Sequence, residues 1–190
     1  RRAASAQGER HRRTDLEAHA VNAPHDVRDI ARREPAHLPG RDFGRHTETV
    51  EHVAGRLEAS AVERDRAGGT AWAERQLLRD SGLLTLAVPT GFGGAGLPWP
   101  ELYAIIRRFA EADSSLAHLF GFQHLQVASV RLFANPDQQA RLLGGTVSEG
   151  WFWGNATNGL DTRISLTAEG DHFVLDGIKS FCSGATGSDM

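Results

Sequence analysis

From Thr47 onward the apolar residues recur at helical spacing. Val50, Val53, Ala54, Leu57 and Ala61 stand at i, i+3, i+4, i+7 and i+11, one face of a helix. Thr47 is placed to cap its start, Glu48 suits its first turn, and Gly68-Gly69 predicts its end. A short helix is predicted over 72–80, with Gly82 as a left-handed stop and Leu83 folding back onto it. Leu102, Ile105, Ile106, Phe109 and Ala110 form the next stripe. Asp113 with Ser114 predicts the cap of a helix over 115–133. On that helix Leu116, Leu119, Phe120, Val127, Val130 and Ala134 share one side, while Phe122, Leu125, Leu132 and Phe133 lie roughly opposite. Apolar residues on both sides predict a central, buried helix. Gln123 falls within the first stripe, and His118 shares the second side with Phe122. Each polar residue is read either as a core group with its bonds satisfied or as the lining of a pocket. Asn135-Pro136-Asp137 starts one more helix, and Gly144-Gly145 predicts its end.

After Gly150 the period changes. Residues 151–157 read as a strand and its exit. Residues 163–168 alternate, Glu169-Gly170-Asp171 reads as a turn, and 172–176 as the return strand of a hairpin. Residues 177–183 read as the next strand. Helices followed by an antiparallel sheet predict an α+β chain: an all-helical N-terminal domain, then the start of an antiparallel β-domain. The expected divisions are a poorly ordered basic leader over 1–46, the helical domain over 47–147, and a truncated β-domain over 148–190. The run from Leu84 to Val88 is strand-like, and Gly91, Gly93 and Gly96 behind it fit G-x-G-x-x-G. A dinucleotide site needs a helix directly after the glycines, and Pro98 and Pro100 are read as blocking one. The glycines are read instead as letting backbone pass close to packed neighbours.

Composition narrows the functional classes. The 190 residues are 40% apolar and 24% charged, with a net charge of −3, so no electrostatic case for nucleic acid arises. Residues 1–46 are the basic part, with 10 Arg against 7 acids, and hold 5 of the 9 His. Those histidines (His11, His19, His25, His37, His46) lack metal-ligand spacing, and one cysteine, Cys182, excludes a disulfide framework and a Cys-based zinc site. No metal is expected. With no apolar run long enough to span a bilayer and no signal-like segment, a cytoplasmic protein without membrane association is the expectation. The chain opens on Arg1 and stops within a patterned segment, and is read as a fragment.

Four pieces in order resemble the acyl-CoA dehydrogenase superfamily: the loop from Leu83 to Gly96, the helix from Asn135 to Leu143, the stretch Gly170 to Lys179, and the triplet Phe181-Cys182-Ser183. The resemblance covers about Thr47 to Met190. Within the superfamily the chain is most similar to the flavin-dependent monooxygenase branch typified by dibenzothiophene monooxygenase. The pointers are Ser115-Leu-Ala-His-Leu-Phe-Gly-Phe122, Gly154-Asn155-Ala156 and the run from Ser180 to Asp189. Aligned on Asp161, the dehydrogenases' flavin-contacting Thr becomes Gly154 and their acyl-CoA-holding Ser becomes Leu160, which donates no hydrogen bond. The monooxygenase branch often carries Tyr where Phe122 stands.

The resemblance implies helical, β and four-helix-bundle domains, of which this chain covers the first and the start of the second. It implies a flavin, FMN or FAD, reduced by a separate reductase, and transfer of one oxygen of O2 to a small apolar or sulfur-containing substrate. The implied flavin residues are Trp153, Gly154, Asn155, Phe181, Cys182 and Ser183, with Phe122 and Leu160 toward the substrate. His118 is the implied catalytic residue, lining the cavity or moving protons. Core packing for the tryptophans and a solvent-facing hydroxyl for Ser183 are the competing readings. Cys182 reads as an inert packed residue. The competing functions are an FAD-dependent acyl-CoA dehydrogenase and a non-catalytic helical interaction module. A full-length parent is expected to be a homo-oligomer, tetramer or dimer. The isolated chain is expected to be inactive and to aggregate or stay loose.

Overall fold

The computed structural model describes residues 43–190. The leader expected over 1–46 lies outside the described residues except for its last four positions. Helix α1 (Thr47–Ala67) buries the predicted face, with Val50, Val53, Ala54 and Leu57 wholly covered. Thr47 sits inside the helix and is not its cap. Its hydroxyl accepts from the Phe43 N–H at 3.0 Å and donates to the Gly44 carbonyl at 2.8 Å, which ties the preceding 3-10 turn to the helix. Gly68, at φ +67, ends α1, and Gly82, at φ +74, follows α2 (Trp72–Asp80).

The strand-like run after Gly82 is not a strand. It coils through a 3-10 turn, Leu83–Thr85, that sends Leu83, Leu84, Leu86 and Val88 into the core. The glycine loop behind it then packs back on this turn, with the Gly96 N–H donating to the Val88 carbonyl at 2.8 Å. Nor do the prolines block a helix. Helix α3 (Trp99–Ala112) starts three residues past Gly96 with Pro100 in its first turn, where no N–H partner is needed. Without a strand ahead of the glycines, the dinucleotide pattern has no βαβ unit to belong to.

Helix α4 (Ser114–Phe133) is capped by Asp113, whose carboxylate accepts from the Leu116 N–H at 2.9 Å. Its first apolar side meets α3, where Phe109 and Phe120 pack edge to face with centroids 5.0 Å apart. Each such buried ring contributes on the order of 2 kcal/mol of transfer free energy. The second apolar side departs from expectation. Leu132 is 75% exposed and Phe133 86%, so α4 is buried on one side among the described residues. Arg108 joins α3 to α1, its Nε 3.0 Å from both oxygens of Glu51.

Helix α5 (Pro136–Ser148) opens on a reciprocal capping box between Asn135 and Gln138. It runs through Gly144-Gly145 rather than stopping there. The Trp151 ring lies where a Cβ on Gly145 would be, 2.3 Å away, so this glycine serves close packing inside a continuous helix.

Strands β1 (Ile164–Glu169) and β2 (His172–Gly177) form the expected hairpin, paired from Ile164↔Gly177 to Glu169↔His172. Gly170 takes φ +66 at the first turn position, the geometry for which glycine is selected in a two-residue hairpin. The segments expected as flanking strands, 151–157 and 177–183, contribute one isolated antiparallel bridge, Asn155↔Ser183. Side chains of Gln123, Asp161 and Asp189 take up backbone groups that a ladder would otherwise use. The observed order is therefore a helical assembly followed by a small antiparallel sheet. Among the described residues no helix is long and apolar enough to cross a membrane.

Candidate functional site

Three segments meet at the N-terminal half of α4. The helix itself presents His118, Phe122, Gln123 and Gln126. His118 and Phe122, one turn apart, pack edge to face at 4.6 Å. Gln123 is wholly buried with both ends of its amide used. Its Nε2 donates to the Leu84 and Trp151 carbonyls, each at 3.2 Å, and its Oε1 accepts from the Trp153 N–H at 2.8 Å. Of the two readings open for Gln123, the satisfied core group is the one observed.

The second segment, 151–155, is thereby fixed to α4. Trp153 turns its indole inward, where Nε1–H donates to the Thr146 hydroxyl at 2.9 Å. Phe152 is wholly buried. Asn155 accepts from Gln126 Nε2 at 2.6 Å, and its own N–H donates to the Ser183 carbonyl at 2.8 Å. Gly154 leaves room for Ser188, whose Oγ would lie 3.0 Å from a Cβ there.

The third segment, 181–189, runs alongside the second. Its carbonyls converge on Arg75 of α2. Nη1 donates to Thr186 O and Nη2 to Gly187 O, both at 2.6 Å, and each nitrogen also reaches Gly184 O at 3.4 Å. The guanidinium carbon lies 4.4 Å from the centroid of the Phe152 ring. Burial, with the Arg79 charge nearby, holds the Arg75 pKa below the usual guanidinium value. One turn on, Arg79 pairs with Asp189, whose carboxylate also accepts from the Phe152 N–H at 2.8 Å. At the other end Asp161 accepts from the backbone and hydroxyl of Ser180, both at 2.8 Å. The bonds from Arg163 and Ser180 hold its carboxyl well below the ordinary carboxylate range.

This arrangement brings His118 and Ser183 together, with Nε2 2.9 Å from Oγ. Both line a hollow of about 450 Å³ with Ser114, Ser115 and Leu119. A larger cleft of about 1240 Å³ opens beside it, sharing Ser114, Ser115 and Leu119 and adding Cys182 and Arg75 to its lining. Phe181 projects outward, 84% exposed, with φ +57. Only a surrounding that over-determines the backbone keeps a phenylalanine there. Leu160 is 96% exposed on the loop before β1 and lines neither hollow. Among the described residues no group of three His, Cys, Asp or Glu side chains is placed to hold a metal ion.

Arg75, Arg79, Gln126 and Asp189 were not legible as site residues. The available signal was position: Arg75 precedes the buried Leu78 by three, so it lies on the face that α2 covers.

Residues 46–150 match the family described as acyl-CoA dehydrogenase, N-terminal domain. A probable FMNH2-dependent monooxygenase, SfnC, of Pseudomonas putida is 51% identical over 138 residues, 73% of this chain and 35% of the relative. Dibenzothiophene monooxygenase of Rhodococcus qingshengii is 44% identical over 144 residues, 73% of this chain and 34% of the relative. Among solved structures, methanesulfinate monooxygenase MsuC from Pseudomonas fluorescens is 50% identical with a TM-score of 0.72, covering 74% of this chain and 36% of that one. The complex of TdsC from Paenibacillus sp. A11-2 with FMN and indole is 42% identical with a TM-score of 0.73, covering 77% and 37%. The chain thus spans about a third of the length of the curated relatives it matches.

Proposed function

Because the chain belongs to the acyl-CoA dehydrogenase family, we propose that it forms the helical part and first β part of a two-component flavin-dependent monooxygenase. The substrate is a small sulfur-containing or apolar molecule, in line with the names carried by the monooxygenase relatives. The observation that carries the reading is the His118–Ser183 pair lining the 450 Å³ hollow. The helical domain is taken as 47–147 and the start of the β-domain as 148–190. A flavin reductase is the partner, the assembly is a dimer or tetramer, and the setting is the cytoplasm.

The residues fit a flavin ring, which needs apolar surface and a few polar groups along one edge. The exposed Phe181 ring offers apolar surface beside Ser183. Asn155 and Gly154 hold that edge in place from the neighbouring segment. The Ser183 hydroxyl has one proton and two lone pairs, and His118 uses only one of these positions, so the hydroxyl keeps capacity for the ring edge. The relatives named for FMN favour FMN over FAD. When bound and reduced, the flavin supplies the electrons that activate O2.

The chain's own part follows from the geometry. When His118 Nε2 is unprotonated it accepts from the Ser183 hydroxyl, and when it carries a proton it donates to it. The pair therefore holds a proton at Nε2 or Oγ and moves it between them as charge develops nearby. Phe122 packs on the imidazole and restricts its rotation. The Leu160 side chain, where the dehydrogenases carry Ser, supplies no hydrogen-bonding group, which weighs against an acyl-CoA dehydrogenase.

The test uses the protein at the full length of these relatives, with reduced FMN from a reductase, O2, and dibenzothiophene or methanesulfinate as probe. Oxygenated product is expected, and His118→Gln or Ser183→Ala lowers turnover by roughly a hundredfold. Bleaching of bound flavin by an acyl-CoA without a reductase would overturn the reading in favour of a dehydrogenase. No flavin binding at all would leave a helical interaction module.

A further inference from the structure

We infer that Arg75 is the positioning residue of the site: its guanidinium fixes the 184–187 backbone and so places the Ser183 hydroxyl against His118. The inference rests on the monooxygenase reading above and extends it to a residue that touches neither member of the pair.

The 181–189 segment has little regular structure of its own. Outside the one bridge at Ser183 it makes no strand pairing among the described residues. Gly184 and Gly187 both take positive φ, at +77 and +76. Apart from short internal turns such as Ala185 N–H to Cys182 O at 3.2 Å, such a stretch of backbone depends on outside groups to fix its carbonyls. Arg75 does so for three of them, Gly184, Thr186 and Gly187, while its face covers Phe152 of the adjacent segment. One planar cation thus ties the 181–189 segment, which brings Ser183 to the hollow, to the neighbouring aromatic segment.

The same chemistry says why the residue is arginine. The two terminal nitrogens of a flat guanidinium reach three carbonyls while its face lies over the Phe152 ring. An ammonium keeps the charge and loses both the fork and the stacking face. Burial of the guanidinium, at 3% exposure, also shields these bonds from competing water. Trp72 of the same helix also presses on Gly187, where a Cβ would come within 2.2 Å of its ring. Asp189, held by Arg79 and by the Phe152 N–H, closes the segment.

The experiment compares wild type with Arg75→Lys and Asp189→Asn in the protein at the relatives' full length. In the absence of flavin, amide hydrogen exchange is read over 183–189. Arg75→Lys is expected to speed it about tenfold there, with α1 and α3 unchanged. With reduced FMN and O2, kcat is expected to fall about tenfold at constant KM. More of the oxygen consumed then appears as hydrogen peroxide. Asp189→Asn gives the same signature more weakly, and decides the matter if Arg75→Lys does not fold. Wild-type exchange over 183–189 in the folded variant, or rescue of kcat by lysine, would overturn the inference. If wild type itself gives no oxygenated product while exchange responds as stated, the monooxygenase reading fails and the clamp stands as a purely structural one.

Discussion

Gln123 and Trp153, thirty residues apart, are joined by a 2.8 Å bond from the Trp153 N–H to the Gln123 side-chain oxygen. A buried amide on α4 thus does for the aromatic segment what a neighbouring strand does in a sheet. Gln123→Leu keeps an apolar shape but strands two carbonyls and one N–H. The expected cost is roughly 3 kcal/mol, because unmade buried bonds cost more than made ones contribute. A urea titration followed by the helical signal reads it, and a midpoint equal to wild type counts against this account.

His124, one residue on, has no hydrogen-bond partner at either ring nitrogen and is wholly buried. Burial alone pushes its pKa down to about 3. In the unfolded chain the ring titrates at the ordinary histidine value, so below that value the unfolded state binds more protons. Stability is therefore fully present near pH 7 and falls as pH drops toward about 3. By pH 5 roughly 2 kcal/mol is gone through this group. His124→Leu flattens the pH dependence between pH 7 and pH 5. Unfolding free energies at both pH values test it, and an unchanged slope rules His124 out as the cause.

Gly94 lies within the glycine loop with Val88 O 2.1 Å from where its Cβ would be. That neighbour is backbone and has no room to yield. Gly94→Ala is expected to lower stability by about 3 kcal/mol through forced displacement of the buried Val88 backbone. A thermal melt near wild type would show that the loop has slack.

Phe181 separates stability from binding. Phe181→Gly relieves a left-handed backbone cost, less the added freedom of the unfolded chain, for a net gain of no more than about 1 kcal/mol. The same change removes the exposed ring offered to the flavin, so FMN affinity falls while the melting temperature holds or rises. Both moving down together would make Phe181 an ordinary packing residue.

Leu132 and Phe133 extend an apolar surface at the end of α4 that also includes Leu125. Leu132→Glu with Phe133→Lys is expected to reduce aggregation and binding of a hydrophobic dye by this chain, with no loss of helix. Equal dye binding would place the sticky surface elsewhere, for which the hairpin face of Leu166, Phe173 and Leu175 is next.

Much of the fold was legible because its determinants are local. The α1 stripe, the Asp113 and Asn135 caps and the Gly170 turn are each set by residues within one or two turns of chain, and all appear in the structure. Local signals misled where distant groups intervened. Gly144-Gly145 reads as a helix end, yet Trp151 requires a glycine at 145 within a helix that continues. The run at Leu84 reads as a strand, yet the core draws it into a turn. The aromatic segment reads as a strand, yet Gln123 and Asp189 hold its backbone.

Sequence by itself determined the helices, the Asp113 and Asn135 caps and the hairpin, since period and cap chemistry act over a few residues, while the candidacy of His118 and Ser183 came with the family resemblance. Only tertiary structure decided that those two side chains meet, that Arg75 is buried among carbonyls, and that His124 has no partner. Burial and partnership depend on segments up to 112 residues away. A residue's own neighbours in the chain carry no record of what long-range packing will place against it.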